Sequence, residues 1–157
     1  MDKSVHADSF RDLRVYQKAI QVEGAITALS RSFPIEERYS LTDQVRRSSR
    51  SVGAQIAEAW AKRRYVAHFT SKLTDADAEQ METQHWLEAA TRAGYASPSE
   101  IDPILQELRD IGRMLNGMIH KAALFCGSES PCVREGTTDY AAFLADHGSR
   151  ITDHSFP

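Results

Sequence analysis

The chain has 157 residues, enough for one well-buried domain and short for two, and its 41% hydrophobic and 26% charged content is ordinary for a soluble globular protein. No apolar run reaches the length needed to cross a bilayer, and the start, MDKSVHADSF, lacks the apolar stretch of a secretory signal, so a cytoplasmic protein without a membrane partner is expected. The net charge of −3 divides unevenly: residues 10–74 hold 12 Lys+Arg against 6 Asp+Glu, residues 75–125 hold 4 against 9, and residues 126–157 hold 2 against 5. A basic half can meet an acidic half within the fold or between subunits, or it can track phosphates.

Four segments carry helical periodicity and none carries strand alternation. The first is predicted from about Phe10 to Ser32. Val15, Ala19, Val22, Ile26, Leu29 and Phe33 form one seam, and Phe10, Leu13, Tyr16 and Ile20 form a second stripe, before Pro34 stops the helix. The second begins at Ser40-Leu-Thr-Asp43, read as a capping box, and runs to about Arg64. The third covers roughly Val66 to Ala93 and ends at Gly94. The fourth opens at Ser97-Pro-Ser-Glu100 or at Asp102-Pro103. Its positions Ile101, Ile104, Leu108, Ile111, Leu115, Met118 and Ala122 keep heptad order through to Phe125. Short links between long amphipathic helices predict an all-α, up-down antiparallel four-helix bundle over residues 10–125. Residues 126–157 read as a polar, mobile or loosely packed C-terminal tail with one short amphipathic piece, Tyr140-Ala-Ala-Phe-Leu144. Cys126 and Cys132 sit together there at a spacing that fits no common zinc pattern, and they read as incidental.

The second helix poses the functional question. At about 100° per residue, Val45, Ser49, Val52, Ile56, Ala59 and Trp60 share the core face, while Arg46, Gly53, Ala57 and Arg64 form an adjoining strip with Arg50 beside it. A glycine inside a helix costs roughly 1 kcal/mol, so Gly53 asks for a packing reason. Small residues bracketed by arginines suit a surface where another subunit packs closely. Gly53, Ala57, Glu58 and, on the first helix, Tyr16 are therefore expected at a subunit interface. Arginine's planar fork of donors also suits phosphate, which makes Arg46, Arg47 and Arg50, extended by Lys62, Arg63 and Arg64, candidate nucleic-acid-binding residues. A plain solvated face is the competing reading.

Phe10-Arg-Asp-Leu-Arg-Val-Tyr-Gln-Lys-Ala19, the run from Phe33-Pro34 to Gln44, then Arg46-Arg47, Ser51-Val52 and Ile56-Ala-Glu58 resemble the four-helix-bundle proteins encoded in intervening sequences of bacterial 23S ribosomal RNA genes. Those proteins are related to the accessory variability proteins of diversity-generating retroelements. Ser71-Lys-Leu-Thr-Asp-Ala-Asp77, Glu82-Thr-Gln84 and Trp86-Leu87 resemble one subgroup's third helix. The resemblance covers about residues 10–125. It implies a small bundle assembling into a homopentamer and, in the retroelement branch, a basic surface that binds RNA or DNA and a reverse transcriptase. Ser48, Gln55 and Ala59 depart from the usual residues by small or conservative steps.

Enzyme readings carry less. Glu82-Thr-Gln-His85 is a single Glu-x-x-His, where di-iron bundles need two copies and two further inward glutamates. Arg113 and His120, seven apart on the fourth helix, match loosely the arginine and histidine of helical ribonucleases of the HEPN class. Gln80, Thr83 and Gln84 interrupt the third helix's seam and read as a register-fixing polar layer, Glu58 as an ion-pair partner, and Trp60 and Trp86 as core or interface anchors. The expectation is a non-enzymatic, oligomeric scaffold needing no cofactor or metal, whose second helix contacts an anionic partner. Pure self-assembly is the alternative.

Overall fold

The computed structural model describes residues 7–127. Four long helices, α1 (Arg14–Leu29), α2 (Leu41–Ala61), α3 (Val66–Arg92) and α4 (Pro98–His120), run up and down in sequence, and a single turn, α5 (Ala122–Phe125), follows. In the bundle α1 packs against α2 and α4, and α3 packs against the same two, with α2–α3 the most extensive pairing. No helix among the described residues is long and apolar enough to cross a membrane. Cys132 and Tyr140-Ala-Ala-Phe-Leu144 lie outside the described residues. Cys126, expected at the start of the tail, is buried.

The predicted seams point inward. Val15, Ala19, Val22 and Ile26 on α1, Val45, Val52, Ile56 and Ala59 on α2, Leu73 and Leu87 on α3, and Leu108, Ile111 and Leu115 on α4 are all buried. Burial of each Val, Leu or Ile side chain among them contributes roughly 1.5–3 kcal/mol relative to exposure, which is why 3.6-residue periodicity decides the architecture. The second α1 stripe divides: Leu13 is buried, Phe10 and Tyr16 are half-buried with rings edge-on at 4.8 Å, and Ile20 is 44% exposed.

The helix ends differ from expectation in several places. The second helix, expected to reach about Arg64, stops at Ala61, because Lys62 leaves helical geometry, so Arg63 and Arg64 lie in the turn beyond it rather than on its face. The predicted first helix is interrupted at Leu13, whose extended backbone (φ −69°, ψ 122°) separates a 3₁₀ turn at Phe10–Asp12 from α1; Asp12 holds that turn by accepting from the Ser9 amide at 2.8 Å. The fourth helix stops at His120 rather than Phe125, because Lys121 leaves helical geometry before α5 begins. The α2 cap is not the predicted box either. Ser40 makes no side-chain cap; instead Glu37, from the preceding 3₁₀ turn, accepts from the Leu41 amide at 3.3 Å, from the Ser40 hydroxyl, and from the Tyr95 hydroxyl at 3.1 Å. At α4, of the two starts considered, Ser97-Pro-Ser-Glu100 is the one used, with Glu100 accepting from the Ser97 amide at 2.8 Å and Pro98 in the first turn. Gly94 (φ 76°) ends α3, where the Tyr95 amide donates to the Ala90 carbonyl and the Gly94 amide to Thr91.

Glu37 makes a pH prediction. The Ser40 hydroxyl, then the Leu41 amide and the Tyr95 hydroxyl hold its carboxyl below the ordinary value of 4.5. A depressed folded value means stability that is present above 4.5 and lost as the pH falls through the lower, folded value. Glu37→Gln is therefore expected to flatten the acid side of a melting-temperature profile below that pH, and to leave the shape of the profile near neutrality unchanged.

Candidate functional site

The polar layer on α3 explains a glycine that sequence reasoning passed over. Thr83, fully buried, donates to the Glu79 carbonyl at 2.8 Å and lies 2.9 Å from Ser48 Oγ on α2. Gln84 Nε2 donates to Gln80 Oε1 at 2.6 Å, and Gln80 Nε2 donates to Asp77 Oδ1 at 2.9 Å. Gly112 of α4 faces this ladder: a Cβ there would sit 2.9 Å from Gln80 Nε2 and 3.2 Å from Asp77 Oδ1. Gly53 of α2 is different, since its Cβ would stand 3.5 Å from Ile20 Cδ1 and 3.6 Å from Tyr16 Cε2, ordinary contact distances. The buried Gly53 thus lies under α1 of its own chain, and Tyr16 with Ile20 covers it. Gly53→Ala is expected to raise stability by about 0.5–1 kcal/mol through helix propensity. Gly112→Ala, which must push Gln80 off its hydrogen bonds, is expected to lower it by about 1–2 kcal/mol. Thermal unfolding of the two variants checks the opposite signs, and a fall in native mass in Gly53→Ala would reveal a neighbouring subunit there.

The mid-helix arginines are engaged within the chain. Arg46, half-buried, donates from Nε to Ser30 Oγ at 2.7 Å, and Arg50 Nε lies 3.6 Å from Glu23 Oε1, so both reach across to the α1 side. Arg47 is exposed and donates to Gln44 Oε1 at 3.0 Å. Ala57 is half-buried. Glu58 sits 2.9 Å from Lys72 of α3, whose hydrogen bond and charge lower the Glu58 carboxyl below its ordinary range; Lys72 also reaches Gln55 and Asp75.

At the end of α2 the chemistry changes. Arg63 stacks on Trp60 at 4.2 Å and donates to the Trp60 carbonyl at 2.8 Å. Lys62 and Arg64 are exposed, with Arg64 5.9 Å from the Tyr65 ring, and Tyr65 itself lies 5.4 Å from the ring of exposed His68. The up-down order brings this turn to the end of the bundle where α1 begins and α4 stops. Arg11, Arg14, Lys62, Arg63, Arg64 and Lys121 therefore gather at one end, accompanied by Asp8 and Asp12. Asp12 is occupied by the Ser9 amide and by the Asp8 amide at 3.1 Å. The opposite end carries Glu36, Glu37, Asp43, Glu100 and Asp102 beside Arg31, Arg38 and Arg92. Among the described residues the bundle is polarised along its length.

The enzyme candidates have other partners. Arg113 pairs with Asp110 one turn away, and both Arg113 and His120 are exposed on α4. Glu82 accepts from Trp86 Nε1 at 3.0 Å, while His85 stands edge-on to that indole at 4.8 Å.

These features define a class: an all-helical, antiparallel four-helix bundle with an arginine-rich second helix and a basic end. The chain belongs to the 23S rRNA-intervening sequence protein family, whose family model matches residues 11–117. Among solved structures it is similar to a protein of unknown function from the S23 ribosomal protein family of Bacteroides thetaiotaomicron, at 29% identity and a TM-score of 0.61. That likeness covers 68% of this chain and 95% of the other. No curated protein matches the chain.

Proposed function

We propose that this protein is a non-enzymatic, self-assembling bundle of the cytoplasm, homopentameric as the family resemblance implies, and that it binds an anionic partner, RNA or DNA, at its basic end. The observation that carries the reading is the presence of Arg11, Arg14, Lys62, Arg63, Arg64 and Lys121 at one end of the bundle, the end that also carries the exposed Tyr65 and His68. Cations supply sequence-independent attraction to phosphates, and exposed rings offer surfaces on which bases stack. Because Arg46 is bonded to Ser30, just past α1, and Arg50 lies beside Glu23 of α1, the binding focus lies at the α2–α3 turn rather than at mid-helix.

The test combines native mass at moderate salt with binding of a fluorescent single-stranded oligouridine across a salt series. A mass near five chains is expected. So is an affinity that falls with salt by a log–log slope of about 0.7 for each phosphate contacted. A salt-independent signal, or a monomer, overturns the proposal. The alternative, assembly alone, draws support from the partly exposed Tyr16 and Ile20 beside a shallow groove on α1. It predicts a pentamer without oligouridine binding.

A further inference from the structure

The same end of the bundle holds an open cavity of about 650 Å³ between the turn before α1, α1 itself, α4 and α5. Leu13, Val15, Met114, Met118 and Phe125 line it. That volume is in the range of a small-ligand pocket, roughly 300–1,000 Å³, yet the lining is apolar with charge only at the rim. Arg14 and Lys121, both exposed, stand there; Asp12 also borders the cavity, but backbone amides hold its carboxylate.

We propose that the occupant is the chain's own segment Asp139–Asp146, with Tyr140, Phe143 and Leu144 filling the cavity. Three observations single it out. The chain leaves the described region at Gly127, two positions after the wall residue Phe125, so the tail starts beside the cavity. Within residues 128–157, Tyr140, Phe143 and Leu144 are the one group of large apolar side chains at i, i+3, i+4 spacing; Val133, Ile151 and Phe156 stand singly. Asp139 and Asp146 flank that group, so anionic ends meet the cationic rim of Arg14 and Lys121. Met1–His6 is the weaker occupant, offering Met1 and Val5 and bringing Lys3 towards a basic rim.

Reach is not limiting. The dozen residues between Gly127 and Tyr140 span up to about 40 Å when extended. A tethered segment acts at an effective concentration of order millimolar, so weak apolar burial suffices to hold it. The inference stands apart from the nucleic-acid reading, since it rests on the cavity and the tail's own residues.

Disulfide trapping in the full-length chain tests it, in a Cys132→Ser background. Gly117 lines the cavity, is exposed and has no neighbour within 4 Å of where a Cβ would stand; Gly24, on α1, is equally open but does not line the cavity. Under a glutathione redox buffer, Gly117→Cys with Ala142→Cys is expected to close an intrachain bond at least about tenfold faster than Gly24→Cys with Ala142→Cys. Adding Phe143→Asp and Leu144→Asp is expected to erase that difference. Equal rates overturn the proposal, as does a preference that survives the two aspartates. A dimer-sized product at the 117–142 pair also overturns it, giving the cavity to a second copy.

Discussion

Replacing Lys62 and Arg64 together with glutamine is expected to weaken oligouridine binding about tenfold near 0.1 M salt and to flatten its salt dependence by about 1.4 log–log units, at two phosphate contacts of about 0.7 each. The fold should not notice. Both side chains are exposed, and neither takes part in an ion pair among the described residues. Glutamine keeps much of the stem and removes the charge, so melting temperature and native mass should stay where they are. Arg46→Gln makes the contrast. Its guanidinium is half-buried against Ser30, and loss of that charge-assisted bond should appear as a stability loss of about 1–2 kcal/mol. An unchanged salt slope in the Lys62/Arg64 variant, with binding intact, removes the basic end from the proposal. Loss of the oligomer in that variant instead assigns the turn to subunit contacts.

That division between mid-helix and helix-end cations was only half legible in the sequence. Periodicity put Arg46 and Arg64, with Arg50 beside them, on the flank of the apolar face; the helix ends at Ala61, before Arg64, while Arg46 and Arg50 are on α2. What they touch lies on another element. Ser30 is sixteen residues from Arg46, and no local rule pairs them. The basic end was less legible still, because Arg11 and Arg14, Lys62 to Arg64, and Lys121 are three separate stretches that only the up-down order brings together. Charge counted along the chain showed a basic half and an acidic half; in space the asymmetry also runs between the two ends.

The four helices were readable because burying an apolar stripe outweighs every local preference along such a segment. Their ends were not, for the opposite reason. Ser40 and Asp43 satisfied the local pattern for a cap, but Glu37 reached the Leu41 amide first, and Tyr95, 58 residues on, holds Glu37 in place. The break at Leu13 follows similar logic: Ser9 and Asp12 close a capping box of their own, which fixes the 3₁₀ turn before α1 can start. Gly112 carried the same signal as Gly53, a glycine within a helix, and the same propensity argument would have flagged it. Its reason, the Gln80–Asp77 hydrogen bond pressed against it, became visible only with α3 alongside.

Phe69→Ala is expected to have the largest effect on stability, a loss of about 3–5 kcal/mol. A domain with a margin of roughly 5–15 kcal/mol keeps little after that, and the melting temperature should fall by about 10–20 °C. Phe69 is fully buried in the first turn of α3, and its ring stacks on Phe125 at 5.8 Å. It therefore supports α5 as well as the core. Cys126 follows that turn, is buried, and donates its amide to the Ala122 carbonyl at 2.9 Å. Burial pushes its thiol above the ordinary 9.0, so at neutral pH little thiolate is present and little of it is reachable. In a Cys132→Ser background, Phe125→Ala should cost only about 1–2 kcal/mol, since that ring is half-buried, yet release Cys126 to a thiol reagent as fully as Phe69→Ala does. If Cys126 stays as slow as in the parent when Phe125 is truncated, the aromatic stack does not hold the turn, and the cavity wall that Phe125 forms is fixed by Ala122 and Cys126 instead.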